Sequence, residues 1–81
     1  MDALPFDVLQ LHTTQLGEER IKRNLHFEGM QVDVVKLMQD MILDDSAIAV
    51  RKGKNWYITS GHCRITVNAS SLTIITAHNL K

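Results

Sequence analysis

The spacing of apolar residues changes period once in this 81-residue chain, at Asp44-Asp45-Ser46. Upstream, Val34, Leu37, Met38, Met41 and Ile42 fall at i, i+3, i+4, i+7 and i+8, the stripe of a helix from about Asp33 to Leu43 lying on a core. Downstream, polar and apolar residues alternate in short runs, the pattern of strands whose two faces meet different surroundings. A chain of this length builds one domain with one core, without room for a second layer system. The reading is therefore α+β: two or three N-terminal helices in residues 1–45, packed on one face of a four-stranded antiparallel meander in residues 46–81. No linker or repeat divides it.

Within the first part, Pro5 suits the first position of a short helix, with Phe6, Val8, Leu9 and Leu11 supplying apolar contacts before His12-Thr13-Thr14 interrupts the run. Thr14 is a good N-cap for a second helix, with Glu18 and Glu19 in its first turns and Arg20, Lys22 and Arg23 later. Glu18 with Lys22 and Glu19 with Arg23 are i,i+4 pairs in the favourable order, which leaves Arg20 free to contact something else. Gly29 is the expected end of this segment. The methionines of the third stripe read as packing residues.

All nine carboxylates lie in residues 1–45 beside four cations, a formal charge of −5; residues 46–81 carry five cations and no carboxylate, +5. The neutral total conceals an asymmetry of the kind that binds anions, nucleic acid being the commonest large one. Cys63 is the single cysteine, so no internal disulfide forms, and a reducing, cytoplasmic setting is expected. It reads as a small buried apolar residue, not a thiol nucleophile. No basic leader and no run of about eighteen apolar residues is present, so neither secretion nor a membrane span is expected.

Turn residues give a strand register. A Ser60-Gly61 hairpin loop pairs Thr59 with His62, Ile58 with Cys63, Tyr57 with Arg64 and Trp56 with Ile65. A loop of Ala69-Ser70-Ser71 pairs Ile65 with Ile75, Arg64 with Thr76 and His62 with His78. Upstream, Lys52-Gly53-Lys54 as a loop aligns Val50 with Trp56 and Ile48 with Ile58. One face then collects Ile48, Val50, Trp56, Ile58, Cys63, Ile65, Val67, Thr73, Ile75 and Ala77, where the helices dock. The other collects Arg51, Asn55, Tyr57, Thr59, His62, Arg64, Thr66, Asn68, Thr76 and His78, with Leu72 and Ile74 at one side. Any half-exposed sheet carries Thr, Tyr and Arg. The complete lack of Asp and Glu, with two histidines beside an arginine, is what points beyond an ordinary solvated face.

On that alignment the candidate catalytic set is His62, His78, Arg64, Tyr57 and Thr76. Opposed Cβ atoms lie about 5 Å apart, so two imidazoles share one phosphate. RNA cleavage without metal needs a base for the 2′-hydroxyl, an acid for the leaving oxygen and a cation for the charge on phosphorus. The histidines fill the first two roles and Arg64 the third, while Tyr57 and Thr76 donate hydrogen bonds. Arg51, Lys52, Lys54, Asn68 and Arg20 are the candidate nucleic-acid contacts, with Lys52-Gly53-Lys54 as a basic hairpin tip. No metal site and no cofactor is expected, since Cys63 points to the other face and neither CxxC nor HExxH spacing occurs. His12 and His26 read as a junction residue and a helix-end residue.

The stretches His12-Thr13-Thr14-Gln15-Leu16-Gly17-Glu18-Glu19-Arg20-Ile21-Lys22-Arg23-Asn24-Leu25, Lys52-Gly53-Lys54-Asn55-Trp56-Tyr57 and Thr73-Ile74-Ile75-Thr76-Ala77-His78 resemble a family of short bacterial proteins of unknown function. That resemblance implies a bacterial, Firmicute-type, cytosolic protein and carries no activity. Helices followed by an antiparallel meander with a basic face also resemble the barnase, colicin-type tRNase and mRNA interferase group of small RNases. Only residue types on the sheet carry over, namely His62, Arg64, Tyr57, Thr76 and His78. The chain lacks the catalytic glutamate of barnase-like members, which moves the base role to a histidine.

The expected function is a small metal-independent endoribonuclease acting on RNA, as the toxin of a toxin–antitoxin pair with a protein antitoxin as partner. Two alternatives use other chemistry: a non-catalytic nucleic-acid-binding module on the same face, and a protein-interaction or inhibitor protein that grips its partner by acidic helices or a sheet edge. A homodimer through the edge strand carrying His78 is a further alternative.

Overall fold

A computed structural model describes residues 6–80. The expectation that Pro5 opens a helix lies outside them. In its place a single 3₁₀ turn, Val8–Gln10, starts from Asp7, whose carboxylate accepts from the Leu9 N–H at 3.0 Å. Two α-helices and four strands follow: α1 Gln15–Asn24, α2 Val34–Ile42, β1 Ile48–Lys52, β2 Asn55–Ser60, β3 Cys63–Asn68 and β4 Ile74–Asn79.

Helix α1 starts where Thr14 caps it, with the Thr14 hydroxyl accepting from Gly17 N–H at 3.0 Å. It stops at Asn24, before Gly29. Phe27 N–H donates to Lys22 O and His26 N–H to Arg23 O, a Schellman closure in which His26 holds the left-handed position at φ 65°. Glu18 pairs with Lys22 at 3.4 Å, whereas the expected Glu19–Arg23 pair does not form. Asp33 caps α2 by accepting from Lys36 N–H at 3.1 Å, and the i, i+4, i+8 residues Val34, Met38 and Ile42 are buried. These join Ile21 of α1 and Ile58, Ile65, Val67, Ile74 and Ala77 of the sheet in one apolar cluster.

The sheet runs in the order β1-β2-β3-β4, all antiparallel. Its register differs from the sequence reading at every hairpin. Gly53 and Gly61 have φ of 60° and 59°, and each is followed by a residue at negative φ. Glycine first is the type II′ arrangement, so the loops are Gly53-Lys54 and Gly61-His62. The second hairpin moves by two residues, pairing Ile58 with Ile65 and Thr59 with Arg64, which leaves the faces unchanged. The first moves by one, pairing Val50 with Tyr57 and Arg51 with Trp56, and a one-residue slip turns β1 over. Ile48 and Val50 consequently face outward, 64% and 53% exposed, while Ala49 packs against the core.

In β4, Ile74 and Ala77 are both fully buried although three apart, which strict alternation forbids. A bulge resolves it: Thr66 pairs with Thr76 but Val67 with Ile74, leaving Ile75 over. The outer edge of β4 is occupied at this point. Ile74 N–H donates to His12 O at 2.7 Å, His12 N–H to Leu72 O at 3.3 Å, and the Thr13 hydroxyl to Ile74 O at 2.7 Å.

Candidate functional site

Alternation from the buried positions assigns the side opposite the helices to Ile48, Val50 and Lys52 of β1, Tyr57 and Thr59 of β2, Arg64 and Thr66 of β3, and Thr76 and His78 of β4. Among the described residues this face holds no carboxylate, because residues 46–80 contain none. Arg64 is bracketed there: Thr59 stands opposite on β2 and His78 opposite on β4. Val50, Lys52, Tyr57, Thr59 and Arg64 line an open concavity of 330 Å³. Its wall is part aliphatic and part aromatic, and its charged groups are both cations. Thr66, between Tyr57 and Thr76, is only 8% exposed, so the flanking side chains close the middle of the face.

The two histidines that the sequence reading set directly opposite each other are two positions out of register. His78 faces Arg64, and His62 lies in the Gly61-His62 loop, where its carbonyl accepts from Leu80 N–H. The cause is the glycine-first turn, which takes His62 out of the strand. Tyr57 and Arg64 share the concavity; the Thr76 hydroxyl accepts from Asn24 Nδ2 at 3.2 Å and so is tied to the end of α1.

The proposed nucleic-acid contacts divide as well. Lys52 lines the concavity and Lys54 is exposed on the adjoining hairpin. Arg51 is overturned as a member of this face, since the inverted β1 places its guanidinium 5.8 Å from the Trp56 ring, with Nε donating to Gly53 O at 2.8 Å. Asn68 Oδ1 is fully engaged, accepting from Ser70 N–H, Ser71 N–H and the Ser71 hydroxyl. Arg20 is exposed on α1 and not on the sheet.

A second polar group went unseen in the sequence. His12 Nδ1 lies 3.1 Å from Gln10 O and its Nε2 3.1 Å from the Thr73 hydroxyl, which in turn is 2.8 Å from the Ser71 hydroxyl. With Nδ1–H donated to the carbonyl, Nε2 accepts from Thr73. Leu72, between the two hydroxyl residues, has φ 57°. The Asn-Ala-Ser-Ser run is a recognisable side-chain-capped turn, but nothing local signals that His12 reaches it. This group latches the segment before α1 onto the β3–β4 loop.

Cys63 is buried at 4% exposure, and desolvation pushes its thiol above the ordinary range. Among the described residues no three of His, Cys, Asp and Glu gather closely enough to hold a metal ion, and no helix is long and apolar enough to cross a membrane. No curated protein and no solved structure matches this chain. One family pattern, described as Protein of unknown function (DUF3781), matches residues 7–78, from the 3₁₀ turn to His78 on the last strand, and the chain belongs to that family.

Proposed function

We propose that the outer face of the sheet binds RNA. The observation that carries this is the grouping of Arg64 and Lys52 around a concavity walled by Tyr57, Thr59 and Val50, on a face without carboxylates. Arg64 supplies a planar fork for phosphate oxygens and Lys52 a point charge, while Tyr57 offers a ring for a base to stack on. A single strand fits better than a duplex, because stacking requires an unpaired base. The deciding measurement is binding of a short single-stranded RNA across a salt series. The reading predicts affinity that falls steeply with salt and drops on removing Arg64 or Lys52, and it is abandoned if wild type shows no affinity at low salt.

The catalytic reading is retained because His78 stands directly opposite Arg64. In it His78 takes the 2′-hydroxyl proton, the 2′-oxygen attacks phosphorus to close a 2′,3′-cyclic phosphate, and the 5′-oxygen leaves with a proton from His62 or water. Arg64 holds the extra charge on phosphorus. Cleavage in EDTA by wild type, lost in His78→Ala, is its signature; intact RNA with wild type leaves a binding protein. In the toxin version of this reading, expression in a bacterium arrests growth and degrades cellular RNA, and a protein antitoxin relieves both.

A further inference from the structure

The two edges of the sheet are treated differently. That of β4 is taken at Ile74 by His12 and Thr13, whereas among the described residues nothing pairs with the outer edge of β1. Unpaired edges template association with another strand, and proteins ordinarily blunt them. Among the described residues, three of the six large apolar side chains that are exposed, Leu43, Ile48 and Val50, lie in β1 or within five positions before it.

We infer that β1 pairs with β1 of a second copy of the chain, antiparallel about a two-fold axis at Ala49, extending the sheet to eight strands. The backbone decides which residues bond. In a two-residue hairpin the pair that closes the loop exchanges its main-chain bonds, here Lys52 with Asn55 and Ser60 with Cys63. Alternation then commits Ile48, Val50 and Lys52 to β2 and turns the N–H and C=O of Ala49 and Arg51 outward. The same alternation makes Asn68 bond toward β4 and Ile74 bond outward, both of which are observed: Asn68 N–H donates to Thr73 O, and Ile74 N–H to His12 O.

Two-fold pairing of outward groups is centred on Ala49, on Arg51, or on Val50 between them, where Ala49 of each copy bonds Arg51 of the other and the apolar Ile48 is set against the charged Lys52. A centre at Arg51 opposes two guanidinium groups. A centre at Ala49 instead opposes Ile48 of each copy to Val50 of the other, on the outer face, and sets Arg51 against Ala47. It also brings the turn carrying Asp44 and Asp45 of one copy beside the Gly53-Lys54 tip of the other, twice over. The acidic entry and basic exit of one strand thus become complementary through the two-fold, which a partner lacking this polarity does not offer. Association through one short strand buries a small area, so the dimer is weak, with a dissociation constant of about 10–100 µM.

Sedimentation velocity of the full chain over a concentration series tests this, with circular dichroism to verify folding. Val50→Lys is expected to raise the dissociation constant at least about 10-fold, by placing lysine against Ile48 of the other copy. Lys54→Asp weakens the dimer and Lys54→Asp with Asp45→Lys restores it, a recovery that a general loss of folding does not produce. Wild type that stays monomeric up to about 500 µM, well above the dissociation constant expected of so small an interface, overturns the inference. So does a dimer indifferent to Val50→Lys, or one that the paired charge reversal fails to rescue.

Discussion

Arg64 and His78 oppose one another across the β3–β4 ladder, and Thr59 flanks Arg64 from the other side on β2. This places a guanidinium in the middle of the outer face, with a titratable ring next to it and Lys52 on the far wall of the same concavity.

Replacing Arg64 by Ala should therefore weaken RNA binding by about 10-fold, near 1.4 kcal/mol, and lower the slope of log affinity against log salt by about 0.7, the value for one phosphate contact on a single strand. Arg51→Ala, by contrast, should leave the slope unchanged and cost some stability through lost packing on Trp56. Fluorescence anisotropy at several salt concentrations separates the two.

Gly17 faces β4 at close range. A Cβ added there would stand 2.4 Å from the Thr13 hydroxyl and 3.3 Å from Ile74 O. Alanine gains about 1 kcal/mol in helix propensity, yet it displaces the hydroxyl that bonds Ile74 O at 2.7 Å. A net loss of about 1–2 kcal/mol is expected in urea unfolding, in the range for overpacking. With Thr13→Ala in the background, Gly17→Ala should cost clearly less than it does alone.

His26 occupies a left-handed position that glycine holds without strain. His26→Gly is expected to stabilise the protein by about 1 kcal/mol, seen as a rise in Tm of about 4–8 °C. Substitution of Gly29 by Ala should destabilise instead: Gly29 also has positive φ, at 77°, although it lies beyond the helix.

Cys63 should resist thiol reagents in the folded state and react fully once unfolded, because it is buried and its thiol pKa is raised by desolvation. The linkage has a definite sign. The unfolded thiol ionises near its ordinary pKa of about 8.5 while the folded one stays protonated. Stability from this group is therefore complete below that pH and declines as pH rises through it. Cys63→Ala should flatten the alkaline fall in stability, measured by denaturant titration between pH 7 and 10.

Where sequence was informative, the signal was local. The Thr14 cap, the Val34, Met38 and Ile42 stripe and the meander order all depend on residues within a few positions of each other, and each stands as read. Register was different. It hung on loop length and on where glycine sits in the loop, and a two-residue Gly53-Lys54 loop in place of Lys52-Gly53-Lys54 exchanged Val50 and Arg51 between faces. The β4 bulge was illegible for a related reason: Ile74-Ile75 offers two equally apolar candidates, and packing under α1 selects one. His12 was legible as a junction residue, but its partner Thr73, itself bonded to Ser71, was not, because it comes from the other end of the fold.

That last separation bears on how the protein is made. The bonds from His12 to Thr73 and from Thr13 to Ile74 each join residues 61 positions apart. As the nascent polypeptide leaves the ribosome, the segment before α1 emerges well ahead of β4 and must wait, its docking strand still unsynthesised. Closure of so long a loop is entropically costly and slow. Until residue 74 clears the exit tunnel, the strand edge that receives this segment does not yet exist, so the latch closes only after β4 has been made.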